Sequence, residues 1–163
     1  MRRLMVLRHA KSSWADESIR DHDRPLNPRG RDAAAQMARF MMQRDLLPEL
    51  ILSSDSTRTR ETIAIWSKAA NWEGDVEFRA RLYHASSGTL LDAARSAPDT
   101  VEDVMLVAHN PGIEDLVSRV GSRPIEIPTA ALAVFDLDCG SWSQADPESM
   151  SLALLQRPRE LAD

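Results

Sequence analysis

The chain has 163 residues, 43% hydrophobic and 28% charged, which is the composition of a soluble globular protein with one domain and a real core. Its formal net charge of −5 argues against a general nucleic-acid binder and against a partner of anionic membranes. One cysteine, Cys139, permits no internal disulfide and fits a reducing cytoplasm.

The N-terminus is basic at Arg2 and Arg3, but the apolar run behind it is far too short for a signal peptide or a membrane span. That run, from Leu4 to Leu7, reads as a strand buried on both faces that ends at Arg8 and His9. A polar loop follows. Asn27-Pro28 then reads as a helix cap with proline in the first turn. Ala33, Met37, Phe40 and Met41 recur at helical spacing, so this helix buries one face. A second strand covers Leu50 to Ser53. "SDSTRTRETIAIWSKAA" offers Ser and Asp capping groups, then a helix with Ile63, Trp66 and Ala70 on one side. "VEFRARL" alternates and reads as a short strand, and "SSGTLLDAARSA" as a helix stopped by Pro98.

"DVMLVAH" repeats the opening pattern, a buried run closed by His109. Asn110 is placed to cap the next helix, with Pro111 in its first turn. Ile113, Leu116, Val117 and Val120 make its apolar stripe, and Gly121 ends it. "ALAVFDL" and "MSLALLQ" are the last strands, and their connection is short enough for an antiparallel pair. Strands alternate with helices over most of the chain. The expected fold is a three-layer helix–sheet–helix α/β domain with a mostly parallel mixed sheet, spanning residues 1–163.

Three strand ends carry unusual groups: Arg8 with His9, the Ser53-Ser54 segment leading to Arg58, and His109. Parallel neighbours bring such ends to one sheet edge, where open α/β sheets bind ligands. Two arginines and two histidines there suit phosphoryl transfer through a histidine. Arginine's planar fork grips phosphoryl oxygens, and a helix N-terminus adds N–H donors. A neutral imidazole attacks phosphorus and forms a covalent intermediate. The second imidazole donates a hydrogen bond to the transferring group. No CxxC or HExxH spacing occurs, and neither metal nor cofactor is expected.

"LRHAKSSW", "RPLNPRGRDAA", "ILSSDSTRTRET", "LYHAS" and "VAHNPG", in this order, resemble the histidine phosphatase superfamily, and within it the small SixA-type phosphohistidine phosphatases. The resemblance implies a phosphoglycerate mutase-like fold, His9 as the phosphorylated nucleophile, and Arg8, Arg58 and His109 as the rest of the phosphate pocket. The sequence departs from the pattern twice. Ala10 stands where most of the superfamily has glycine. "RLYHASSG" holds no carboxylate where larger members place their proton donor, which favours a phosphohistidine substrate over an alkyl ester.

Other residues keep two readings. Arg24 is a candidate to touch or brace the pocket. Thr129 offers a hydroxyl to the pocket or shapes a turn. His84 is either a rim contact to substrate or structural. His22 and Arg29 read as solvated, and the four tryptophans as packing residues. The leading expectation is a metal-independent phosphatase for phosphohistidine on a protein, such as a histidine-phosphorylated signalling domain. The alternatives are a phosphatase of a small phosphorylated metabolite or other phosphoamino acid, and a non-catalytic phosphate or phosphoprotein-binding module.

Overall fold

The structure, a computed structural model, describes residues 1–161. One sheet contains β1 (Arg2–Arg8), β2 (Leu50–Ser54), β3 (Asp75–Arg79), β4 (Asp103–Ala108), β5 (Leu132–Leu137) and β6 (Met150–Gln156). Among the described residues there are four α-helices: α1 (Pro28–Gln43), α2 (Thr57–Ala70), α3 (Ser87–Arg95) and α4 (Gly112–Gly121). The strand order is β3-β2-β4-β1-β5-β6. β1 to β4 are parallel, β5 runs antiparallel to β1, and β6 pairs antiparallel with β5.

Period-two burial explains the three layers. In β1, Leu4 and Val6 join one core with Leu90 and Leu91 of α3 and Ile113 and Leu116 of α4. Met5 and Leu7 join the opposite core with Met37 and Met41 of α1 and Ile63 and Trp66 of α2. β4 divides the same way, with Leu106 on the first side and Met105 and Val107 on the second. A strand buried on both faces must be apolar at every position, which is why β1 and β4 read as unbroken runs. Among the described residues no helix is long and apolar enough to cross a membrane.

Several local expectations shift. Ala33 and Phe40 are only half-buried and border the buried face of α1, which is built on Ala34, Met37, Ala38 and Met41. The third strand stops at Arg79, and Ala80–Leu82 form a 3-10 turn. Asn110 is not adjacent to α4, since Pro111 precedes the helix, which starts at Gly112, but it still serves a first-turn donor. Its side chain accepts from Glu114 N at 3.3 Å and also donates to Ile127 O at 2.9 Å, tying the helix to the strand-entry loop. The loop after β1 is closed by a Ser12–Leu26 bridge and contains a 3-10 turn at Asp21–Asp23. Three tryptophans pack as expected, Trp66 and Trp142 buried and Trp72 half-buried, whereas Trp14 is 74% exposed.

Gly112 shows how tightly two loops are held together. A Cβ at this position would stand 2.0 Å from the Ala85 carbonyl oxygen, so α4 and the segment before α3 approach at backbone distance. Gly112→Ala must push them apart. The expected cost is about 1–3 kcal/mol, the usual range for overpacking. It is read as a lower denaturation midpoint at unchanged m-value.

Candidate active site

The site follows from strand register. Arg8 pairs with Ala108, so His9 and His109 leave neighbouring strands side by side, with ring centroids 5.1 Å apart. Ser53 pairs with Val107, which puts Ser54 beside His109, and His109 Nε2 lies 2.9 Å from Ser54 Oγ. α2 is capped by Ser56, whose Oγ accepts from Thr59 N, and its first turn carries Arg58 across these strand ends. A cleft of about 250 Å³ results, lined by all seven residues singled out from the sequence: Arg8, His9, Arg24, Arg58, His84, His109 and Thr129. Lys11, Ser12, Trp14 and Asn110 complete the lining.

His9 is buried, and its Nδ1 lies 2.7 Å from the Ala10 carbonyl oxygen. A carbonyl only accepts, so Nδ1 carries the proton and Nε2 is bare. Arg58 Nε donates to that bare nitrogen at 3.4 Å. Burial, reinforced by the charges of Arg58 and Arg8, pushes the His9 pKa down to about 3. Burial, His9 and Arg58 push His109 down to about 2. Both rings are therefore neutral at any ordinary pH. Both nitrogens of His109 meet protein partners, Nε2 at Ser54 and Nδ1 3.4 Å from Arg58 Nη2.

Arg58 is 4% exposed and fully engaged. Its Nη1 donates to Asp21 O at 2.7 Å and its Nη2 to Asp21 Oδ2 at 3.1 Å. Arg8 donates through Nη1 to Ile127 O at 3.0 Å, while its Nε is buried without a partner among the described residues. That orphan donor faces the requirement that buried N–H groups be satisfied, and an oxyanion would meet it.

Asp21 is the residue that the sequence reading missed. It receives Arg58, Arg24 through Nη1 at 2.8 Å on Oδ1, and the Tyr83 hydroxyl on Oδ2. Partial burial alone would raise its pKa. The hydrogen bonds from Tyr83 and Arg24 and the charge of Arg58 outweigh burial and hold it well below the usual carboxylate range. The loop that leaves β1 at the ligand-binding edge was the place to look, but it also holds Asp16, Glu17 and Asp23, and the sequence does not choose among them.

Arg24 braces rather than grips. It is 7% exposed, bonds Ser13 O, Asp21 and Ser12 Oγ, and lies under the Trp14 ring, 3.2 Å from the centroid. Thr129 sits on the rim, and its side chain makes no hydrogen bond among the described residues. His22 is not simply solvated. Its Nε2 lies 2.9 Å from Asp55 Oδ1, whose hydrogen bond raises the imidazole pKa and pins the loop to the start of α2. Arg29 is exposed and lies outside the cleft. Among the described residues no group of three or more His, Cys, Asp or Glu side chains is arranged to hold a metal ion.

Residues 4–103 match the model of the histidine phosphatase superfamily, branch 1. The chain belongs to the histidine phosphatase superfamily. A chloroplastic protein of Arabidopsis thaliana of uncharacterised function is 38% identical over 88% of this chain and 70% of its own length. A solved Agrobacterium tumefaciens structure, named "putative phosphohistidine phosphatase SixA", is 33% identical with a TM-score of 0.83, covering 96% of this chain and 98% of that one. The structure of the protein histidine phosphatase SixA complexed with tungstate has a TM-score of 0.84 at 21% identity, covering 98% of this chain and 99% of that one, a likeness of fold. Membership supports a phosphatase hydrolase on a phosphoglycerate mutase-like fold.

Ala10, the departure from the superfamily's glycine, leaves the cleft undisturbed. It is fully buried in a small cluster with Leu26, Ala34 and Ala130, and its N–H donates to Thr62 Oγ1 at 3.0 Å.

Two expectations follow from this geometry. Arg58→Lys keeps the charge but loses the fork that reaches Asp21 and an oxyanion together. Turnover should fall about 10²-fold or more, the scale of removing one transition-state donor. A change confined to KM would count against it. The second concerns acid. The folded histidines titrate near 3 and 2 against an ordinary 6.5, so they stay neutral where the unfolded chain is protonated. Their contribution to stability is complete above pH 6.5 and is lost as pH falls from there toward 3. At pH 5 unfolding should take up about two protons at these two sites. Denaturant unfolding at pH 7 and pH 5 should show that much less pH dependence in a His9→Asn/His109→Asn variant.

Proposed function

We propose that this protein is a metal-independent phosphatase that moves a phosphoryl group onto His9 and then to water, acting on phosphohistidine carried by a protein. The observation that carries this reading is the bare Nε2 of a neutral, buried His9, fixed by the Ala10 carbonyl beside the Arg58 guanidinium. The lone pair points to the side where Arg58 and Arg8 offer positive charge, and catalysis of phosphoryl transfer is mostly positioning and charge stabilisation. A module that only bound phosphate would not require a nucleophile with a fixed tautomer. His109 adds a second neutral ring beside the reacting atom.

The substrate class rests on a relative, on the ionisation of Asp21 and on the open cleft. The Agrobacterium relative bears the name of a phosphohistidine phosphatase. Asp21 is a carboxylate near the site, but its donors keep it ionised, so it brings no proton to an alkoxide. The cleft is bordered by an exposed Trp14, leaving the approach open to a side chain still attached to a protein. Nucleic acid and membrane are not among the proposed partners, given the net charge of −5. A reducing cytoplasmic setting and a single catalytic domain complete the reading.

His9→Ala should stay folded, with an unchanged circular dichroism spectrum, and lose turnover altogether. Wild-type protein should be offered a phosphohistidine protein, free phosphohistidine, phosphoserine and sugar phosphates, with and without chelator. Phosphohistidine protein should give the highest kcat/KM, and chelator should change nothing. A folded His9→Ala variant within a few-fold of wild type would sink the mechanism. A sugar phosphate matching phosphohistidine would give the lead to a small-metabolite phosphatase.

A further inference from the structure

His84 and Asp21 come from different loops and meet at the cleft. His84 Nε2 lies 3.3 Å from Asp21 Oδ2, and the ring borders the cleft that holds His9. Nε2 is shared between two groups at 3.3 Å, the Asp21 carboxylate and Arg58 Nη2; with its proton turned to the carboxylate, Nδ1 is the free nitrogen. Among the described residues Nδ1 has no hydrogen-bond partner, and the side chain is 52% exposed. One nitrogen oriented by a carboxylate and the other open to a cleft is the arrangement of an acid–base imidazole.

The chain holds the ring there deliberately. His84 has φ of 52°, the left-handed region that non-glycine residues rarely enter. That turn stacks the ring on Tyr83, with centroids 4.1 Å apart and planes 20° apart. Tyr83 in turn donates its hydroxyl to the same Asp21 oxygen. On the other side the ring meets His109 edge-on at 5.3 Å. The neighbouring Ala85 carbonyl abuts Gly112 at backbone distance, so the histidine segment cannot slide relative to α4. Backbone strain, stacking and a shared carboxylate all converge on one orientation.

We propose that His84 is the proton carrier of the site, with Asp21 as its orienting partner. This rests on the phosphatase reading above. In the first step His9 Nε2 forms a bond to phosphorus and the bond from phosphorus to the leaving group breaks. Nδ1–H of the His84 imidazolium gives its proton to the leaving group. In the second step water attacks phosphorus, neutral Nδ1 takes the water's proton, and the bond from His9 to phosphorus breaks. Phosphate leaves and the His84 imidazolium is restored, so one water is consumed and no other reactant is needed. The remaining groups are poorly suited to the task. His9 and His109 are buried and neutral, and the Tyr83 proton is committed to Asp21.

The test uses esters of graded leaving ability: dinitrophenyl, nitrophenyl and phenyl phosphate. Asparagine tolerates positive φ, so His84→Asn keeps the backbone and removes the proton carrier. The variant should lose about 10²-fold or more in kcat/KM on phenyl phosphate, the usual contribution of general acid catalysis. It should stay within a few-fold of wild type on dinitrophenyl phosphate, which leaves without a proton. His84→Gly is the second variant, and added imidazole should restore its turnover of phenyl phosphate. An equal loss across the three esters, with no rescue by imidazole, would overturn the proton-carrier role and leave the phosphatase reading standing. Absence of His9-dependent turnover of phosphohistidine and of every ester by wild type would overturn both.

Discussion

Arg58 is a cation at 4% exposure, and the cleft is built around its compensation. An uncompensated buried charge costs about 3–5 kcal/mol when its partner is removed. Here the partner is Asp21, which bonds Arg58 through both its backbone and its carboxylate. Asp21 keeps 39% of its side chain exposed, so part of that cost would be recovered from water. The pair nevertheless explains why the loop after β1 folds back over the strand ends. Arg24, also buried, enters through the same carboxylate and carries Ser12, Ser13 and Trp14 with it. One ion pair thus organises the floor and one wall of the cleft.

The same cation sets the state of the imidazoles. His9 and His109 are neutral first because they are buried, and second because Arg58 lies against both. Neutrality is what a nitrogen nucleophile requires. The arginines therefore serve two ends at once. In the proposed reaction they would supply positive charge for a phosphoryl group and deny it to the rings beside that group. The cost falls on the fold at acid pH, where the unfolded chain would bind the protons that the native site refuses.

Much of this is legible in the sequence, for a definite reason. β1 and β4 are buried on both faces, so their apolar runs are unbroken and the polar residue that ends each run marks the sheet edge. His9 and His109 stand at those ends, and Arg58 follows a capped helix start. Strand position is thus converted directly into site position. Asp21 carries no such mark. It shares its loop with Asp16, Glu17 and Asp23, and nothing local distinguishes the one carboxylate that turns inward. Its partners are 37 and 62 positions away, at Arg58 and Tyr83, so only the closed fold selects it. Asn110 is displaced rather than misread: its Oδ1 serves the first turn of α4 from one position further back than expected, because the helix begins later and its amide also reaches Ile127.

The two arginines are not equivalent toward a phosphoryl group. Arg8 keeps a buried Nε without a partner among the described residues, so an oxyanion that reached it would add a hydrogen bond and displace none. Arg58 has no spare donor of that kind. Its Nε already donates to His9 Nε2, at a long 3.4 Å. In the empty site that contact partly occupies the lone pair that must attack. A charged oxygen is a better acceptor than a neutral ring nitrogen. In the proposed reaction a phosphoryl group entering beside Arg8 would compete for the Arg58 Nε–H and take it from the weaker acceptor. The nucleophile of that proposal would then be exposed at the moment its target is in place, and the donor that covered it would become one that stabilises the transferring group.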